Sequence, residues 1–206
     1  MSKLIFLIAA TLIANIACDT CDFASHPTYG RGSCVQSAWC PNSLYVSGLC
    51  ESKPASVKCC YSNGKSSSLP SVCSSSVKLS QYTAISVLNA NGITVSSSGN
   101  CATRTNPKCT ALDQINCRSI AELVNYKRAS GCAVIMTGGT ETGHSNGARS
   151  HSTGYKIDIG INSCHSSYIR SRFTYAGKRG DGADLYKDAR GNTWALEGNH
   201  WDILFP

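Results

Sequence analysis

Charge is scarce in this chain. Asp, Glu, Lys and Arg together make up 15% of its residues, against roughly a quarter in an average soluble domain. Apolar residues, at 42%, are near normal, which argues against solvated disorder of the whole chain. Long apolar runs are missing after the first twenty or so positions, so no later segment can span a bilayer. The 19 Lys and Arg residues are scattered and never interleave with aromatics as a nucleic-acid-binding face would. There are 13 cysteines but no pair of CxxC motifs with partner histidines, which argues against a zinc finger or ribbon. No internal repeat is visible. The length of 206 residues suits one medium domain with a small appendage.

Ser, Gly and Cys take the place of charge. Thirteen cysteines are best read as disulfides, which persist in an oxidising, extracytosolic space. The N-terminus agrees, because Lys3 precedes the apolar run Leu4 to Ala17, the layout of a secretory signal peptide. Cleavage is expected near Ala17 or Cys18, and removal of residues 1–18 leaves 12 cysteines, enough for six bridges. A lipoprotein anchored through Cys18 is disfavoured by Asn15, at a position where the lipobox usually has Leu. The net charge of +7, or +6 without Lys3, favours anionic surfaces such as bacterial walls. The expectation is a secreted monomer with no stable membrane insertion and no nucleic-acid partner.

Cysteine spacing divides the mature chain. Residues 19–61 hold Cys21, Cys34, Cys40, Cys50, Cys59 and Cys60, a module too small for its own core and therefore stapled. Its aromatics Tyr29, Trp39 and Tyr45 suit either sugar stacking or packing. Residues 62–76 contain eight serines in fifteen positions with Gly64 and Pro70, the composition of a linker. Residues 77–206 form the expected catalytic domain. In it, Ser80 caps a helix with Ala84, Ile85 and Leu88 on one stripe and Gly92 at its end. Ser119 and Glu122 form a capping-box pattern before Ile120, Leu123 and Val124, with Gly131 as the stop. Cys132 to Met136 reads as a buried strand ending at Gly138-Gly139, and Tyr155, Ile157 and Ile159 alternate with Lys156, Asp158 and Gly160. Leu185 to Asp188 and Thr193 to Leu196 suggest a hairpin, and Trp201 to Phe205 a last strand. The class is α+β, with helices first and then a small, mainly antiparallel sheet carrying a metal site.

The chemistry is concentrated between Gly138 and His200. His144, His151 and His200 lie near acids, as in a zinc site where three protein ligands leave an open position. Period two puts Asp158 on the polar face of its strand, and His151 precedes that strand across a Ser152-Thr153-Gly154 turn. Glu197 and His200 are three apart, and a turn at Gly198-Asn199 lets them converge. His26 and His165 have no evident partners and read as structural.

His151-Ser-Thr-Gly154-Tyr-Lys-Ile-Asp158 and Glu197-Gly-Asn-His200 resemble the HxxGxxxD and ExxH elements of zinc peptidases of the D-alanyl-D-alanine carboxypeptidase type, a fold shared with hedgehog-like and endolysin peptidases. The resemblance covers roughly 115–203. It implies that His151, Asp158 and His200 bind Zn2+ and that Glu197 is the catalytic acid/base. Two positions depart from the family. Lys156 stands where small residues are usual, and Gly138-Gly139-Thr140-Glu141 stands where an oxyanion-stabilising Arg is usual, with Arg149 the candidate substitute. His144 and Glu141 are further candidates for substrate binding. The stretches TGGTETGH, SHSTGYKIDI and EGNHWDI also resemble secreted, mostly fungal cell-wall-lytic proteins, some of them muramidases. The resemblances imply a secreted hydrolase of bacterial peptidoglycan, a zinc peptidase acting on stem peptides. The alternatives are a muramidase on the same scaffold, with Glu197 and either Glu141 or Asp158 as its carboxylates, and a non-catalytic wall-binding protein.

Overall fold

The computed structural model describes residues 68–206 continuously and, before them, 25–26, 30–36, 40, 45–46, 50, 55 and 57–61. The signal peptide expected over 1–18 and the aromatics Tyr29 and Trp39 lie outside the described residues. Four strands come first: β1 (Ser25–His26), β2 (Gly30–Gln36), β3 (Tyr45–Val46) and β4 (Val57–Tyr61), hydrogen-bonded in the order β1-β2-β4-β3. Cys34–Cys50 and Cys40–Cys60 staple this small sheet. Cys60 is fully buried in the same apolar cluster as the helices and strands that follow, and Cys40 packs against it.

The Ser-rich stretch ends tied down. Cys73 is bridged to Cys117, and Leu69, Cys73 and Val77 pack against the core. Then β5 (Lys78–Leu79) leads into α1 (Gln81–Ala90). Ser80 caps α1 by accepting from the Thr83 amide at 3.1 Å, and Gly92 turns the chain out at φ +67°. Next come β6 (Ile93–Val95), β7 (Ile115–Asn116) and α2 (Cys117–Ser130), with Gly131 in the left-handed conformation as C-cap. The expected capping box does not form. α2 begins two residues before Ser119, where Cys117 is pinned by its bridge, so Ser119 lies inside the first turn. There its hydroxyl donates to the Gly154 carbonyl at 2.8 Å. Glu122 points away from the helix start and takes both Arg190 Nε (2.5 Å) and Nη2 (2.6 Å).

The main sheet is completed by β8 (Val134–Gly138), β9 (Lys156–Gly160), β10 (Thr174–Lys178), β11 (Asp184–Lys187), β12 (Thr193–Glu197) and β13 (His200–Leu204), with α3 (Ser163–Arg172) between β9 and β10. Its order is β10-β11-β12-β13-β9-β8-β6. Every neighbour pair is antiparallel except β6 with β8, which are parallel and joined across α2. The expected hairpin is β11–β12, paired from Asp184↔Leu196 to Lys187↔Thr193. The strand expected to be wholly buried is half-buried instead. In β8 burial alternates, and Ile135 is 46% exposed, because helices cover one face only.

Register separates core from chemistry. Ile157↔Ile203↔Trp194 and Ile159↔Trp201↔Leu196 line one face. Five of these six are buried there with Ile85, Leu88, Ile120 and Leu123 of the helices. With side chains alternating along each strand, the opposite face carries Asp158↔Asp202 and Gly160↔His200↔Glu197. Burying the first set holds the second in fixed register.

Candidate metal centre and cleft

Asp158, in the middle of β9, needs space made by a neighbour. Gly138 of β8 is its cross-strand partner, and a Cβ there would lie 2.3 Å from Asp158 Oδ2. Beside it stands His151, brought in by the turn before β9 and 4% exposed. Gly154 makes that turn possible at φ +81°, where a Cβ would sit 2.7 Å from the Gln114 carbonyl. His151 Nδ1 donates to the Gly139 carbonyl at 2.8 Å, which fixes the ring and turns Nε2 toward Asp158 Oδ1 at 3.3 Å and Asp202 Oδ1 at 3.7 Å.

His144 stacks on His151 with ring centroids 3.8 Å apart. Its Nε2 is 3.1 Å from Glu141 Oε1, and its Nδ1 is 4.0 Å from Asp158 Oδ2. Glu141 is 2% exposed and also accepts from the amides of Ala111 and Gly139. Burial alone would raise the Glu141 carboxyl, but the bonds from His144 and these amides outweigh it and hold it low. One donor atom each from His144, His151 and Asp158 lies within 4.8 Å of the others. His200 comes alongside from the start of β13, its Nε2 3.7 Å from Asp158 Oδ1 and 3.5 Å from Glu197 Oε2. The two-residue turn Gly198-Asn199 pairs Glu197 with His200 directly, as the spacing predicts.

Two carboxylate oxygens stand out. Asp158 Oδ1 and Asp202 Oδ1 are buried and accept no hydrogen bond, an arrangement that costs desolvation unless a cation faces them. Asp202 Oδ2, in contrast, takes Lys156 Nζ at 2.5 Å and Arg179 Nη1 at 3.0 Å. Burial would raise the Asp202 carboxyl, and His151 and Lys156 more than reverse this, holding it well below the usual carboxylate range. Burial would lower His151, and its contacts with Asp158 and Asp202 push it up to about 10 instead. Without a metal these carboxylates favour the imidazolium form of His151, and a metal ion in its place would face the same two oxygens. Oriented neutral imidazoles beside a carboxylate, each with its second nitrogen engaged, are the donor set of a divalent transition metal, so the residues fit such an ion.

The surrounding cleft has a volume of about 590 Å³, and Asp158, Glu197, His200, Asp202, Arg179 and Asp181 are among the residues that line it. Four of its lining side chains are carboxylates and two, Lys156 and Arg179, are permanent cations. Arg179 Nη2 donates to Glu197 Oε1, and its Nε and Nη2 hold Asp181 at 3.0 and 2.5 Å.

His151, Asp158, His200, Glu197 and His144 thus meet at one cleft. Glu141 lies behind it as the partner of His144, and Arg149 is exposed and absent from the lining. His165 is buried elsewhere, its Nδ1 2.8 Å from the Tyr126 hydroxyl. Sequence reasoning missed Asp202 and Arg179. Period two from His200 points to Asp202, whereas Arg179 is placed by the β10–β11 pairing and leaves no local signal. No protein-family model, curated protein or solved structure matches this chain.

Proposed function

We propose that this protein is a secreted, metal-dependent hydrolase of bacterial peptidoglycan that cleaves stem-peptide amides. The observation that supports this reading best is the convergence of His144, His151 and His200 on Asp158, with Glu197 at the edge of the same cleft. Nitrogen and carboxylate donors suit zinc. His151 and Asp158 would hold the ion, with His200 and His144 the flanking donors. Zinc bound there would supply Lewis acidity toward a carbonyl and make a nearby water a stronger acid.

The chain's own part is proton handling and exclusion of alternatives. Arg179 occupies Glu197 Oε1, so Oε2 is the oxygen free to take a proton from water. That same oxygen lies 3.5 Å from His200, so the base sits beside the ligand set. The bridges Cys34–Cys50, Cys40–Cys60, Cys73–Cys117, Cys101–Cys109 and Cys132–Cys164 belong to an oxidising compartment. No helix among the described residues is long and apolar enough to cross a membrane. A positive chain and a stapled N-terminal module suit retention on an anionic wall.

One observation favours a second reading. Glu197 and Asp158 lie on either side of His200 in one cleft, 3.5 and 3.7 Å from its Nε2, so two carboxylates share the space, the pair the muramidase reading calls for. Mass spectrometry of digested peptidoglycan, with and without chelator, separates these readings. New amino termini that vanish with chelator support the peptidase. New reducing sugars that survive chelation replace it with a muramidase, and no change leaves a binding protein.

A further inference from the structure

We propose that Lys156, Asp202 and Arg179 form a positioning chain that aims the Glu197 carboxylate. This rests on the hydrolase reading, in which Glu197 handles the proton. Glu197 is poorly supported by its own element. It is the last residue of β12, 30% exposed at the side chain, and is followed by a turn in which Gly198 has φ +30°. The one hydrogen bond that its side chain makes among the described residues comes from Arg179. Arg179 is itself on a hairpin turn and 31% exposed; its Nε and Nη2 also hold Asp181, but Asp181 lies two residues away in the same turn and is 54% exposed, so that pair moves with the turn and ties Arg179 to nothing outside it.

What ties Arg179 to the sheet is Asp202. Asp202 is 5% exposed in the middle of β13, and its Oδ2 receives Arg179 Nη1 from one side and Lys156 Nζ from the other. Lys156, at the start of β9, is 24% exposed at its side chain and lies across from β13 in register. The chain therefore runs from a buried, doubly charge-paired carboxylate through a planar guanidinium to Glu197 Oε1. The rigid fork transmits orientation because its nitrogens keep a fixed geometry. Oε1 is consumed and Oε2 is turned toward His200. Lys156, which departs from the small residue of the resembling family, then has a stated task, neutralising the post to which Arg179 is tied.

The experiment combines kinetics with an activity-independent cycle. On purified peptidoglycan, Arg179→Met and Asp202→Asn should each lower kcat by about 10- to 100-fold with little change in KM. Metal content should match the unsubstituted protein, and the double variant should be no slower than Arg179→Met alone. If the double variant shows the product of both losses, Asp202 does not act through Arg179 and the proposal fails. It fails likewise if Asp202→Asn loses its metal, since Asp202 would then belong to the ligand set. Asp202→Glu, which keeps the charge and displaces it, replaces Asp202→Asn should that variant not fold, with the same non-additivity expected. The second arm uses urea unfolding of Arg179→Met, Glu197→Ala and their combination, in the native and the Asp202-substituted backgrounds, because each single substitution in such a cycle must remove the contact. Arg179–Glu197 coupling should disappear when Asp202 is replaced, and coupling that persists unchanged overturns the proposal. Were the unsubstituted protein to release nothing from peptidoglycan, the hydrolase reading alone would fall, and this second arm would still decide the positioning chain.

Discussion

Glu197 carries the most exposed claim at the scale of single residues. Replacing it by Gln keeps its shape and its contact with Arg179 but removes the ability to accept a proton. The rate should fall by roughly 100- to 10,000-fold, while bound metal stays at native level by elemental analysis. Retained activity would remove Glu197 from the chemistry. The histidines divide differently from the resemblance. His151 and Asp158 are the nearest pair of donors, and both flanking histidines reach Asp158, His144 at 4.0 Å and His200 at 3.7 Å. His144 is also part of the compact donor group and is backed by the buried Glu141. We therefore expect His144→Ala to weaken metal affinity at least as much as His200→Ala, on the order of 10- to 100-fold when an orienting shell is lost with the ligand. Competition with a chromogenic chelator measures both, and an unaltered affinity in His144→Ala would leave only a stacking role for that ring. His151, His200, Asp158 and Glu197 were legible in the sequence because two short motifs and period-two alternation mark them, His151 in the turn before β9, Asp158 on its polar face, and Glu197 and His200 on either side of a two-residue turn. Asp202 and Arg179 were not, since only pairing across β10 to β13 brings them together.

At the scale of elements, the helices show what pattern does and does not reveal. α1 was legible from its Ser80 cap and apolar stripe. α3 was not, because SCHSSYIRSR buries only His165 and Ile169 and is otherwise polar. What holds α3 is tertiary, the Cys132–Cys164 bridge and the Tyr126–His165 hydrogen bond. That contact gives α3 a pH dependence. Burial lowers the His165 pKa in the folded protein; a backbone hydrogen bond to Ala133 opposes it without reversing it, and the charge of Lys127 adds a smaller downward push. The unfolded chain then binds a proton at His165 more readily than the folded chain, so stability rises with pH. The contribution is complete above the ordinary histidine value of about 6.5 and is lost as pH falls below it toward the folded value. Thermal unfolding of a metal-free sample from pH 7.5 to pH 5 should show this loss. His165→Gln, neutral throughout and able to accept from Tyr126, should unfold with a flatter pH dependence, and an identical slope in both proteins would show that other groups set it.

Across the whole molecule, disulfides and packing divide the chain in different places. The bridges Cys34–Cys50 and Cys40–Cys60 stay within the N-terminal module, whereas Cys73–Cys117, Cys101–Cys109 and Cys132–Cys164 stay within the rest. The apolar cluster nonetheless includes Cys60. Composition alone marked 62–76 as a connector, but a Ser-rich stretch carries no pattern that reveals a cysteine used as an anchor, and Cys73 is one. Between the two sets of bridges, Ser68, Pro70, Ser71 and Val72 are exposed, with Val72 at 71%. Proteases act on exposed segments that can be drawn into an extended conformation. Limited digestion should therefore cut between 62 and 72 and not between Cys73 and Leu79, where the Cys117 bridge and the β5–β7 pairing hold the chain. On a gel without reductant the two fragments should separate, since none of these five bridges crosses the cut. Fragments that part only after reduction would contradict these pairings, because Cys73, Cys101, Cys109, Cys117, Cys132 and Cys164, all the cysteines beyond the cut, are already joined to one another. Cuts mainly inside 80–200 would show that the cleft domain is not the protected unit its buried strands and helices require.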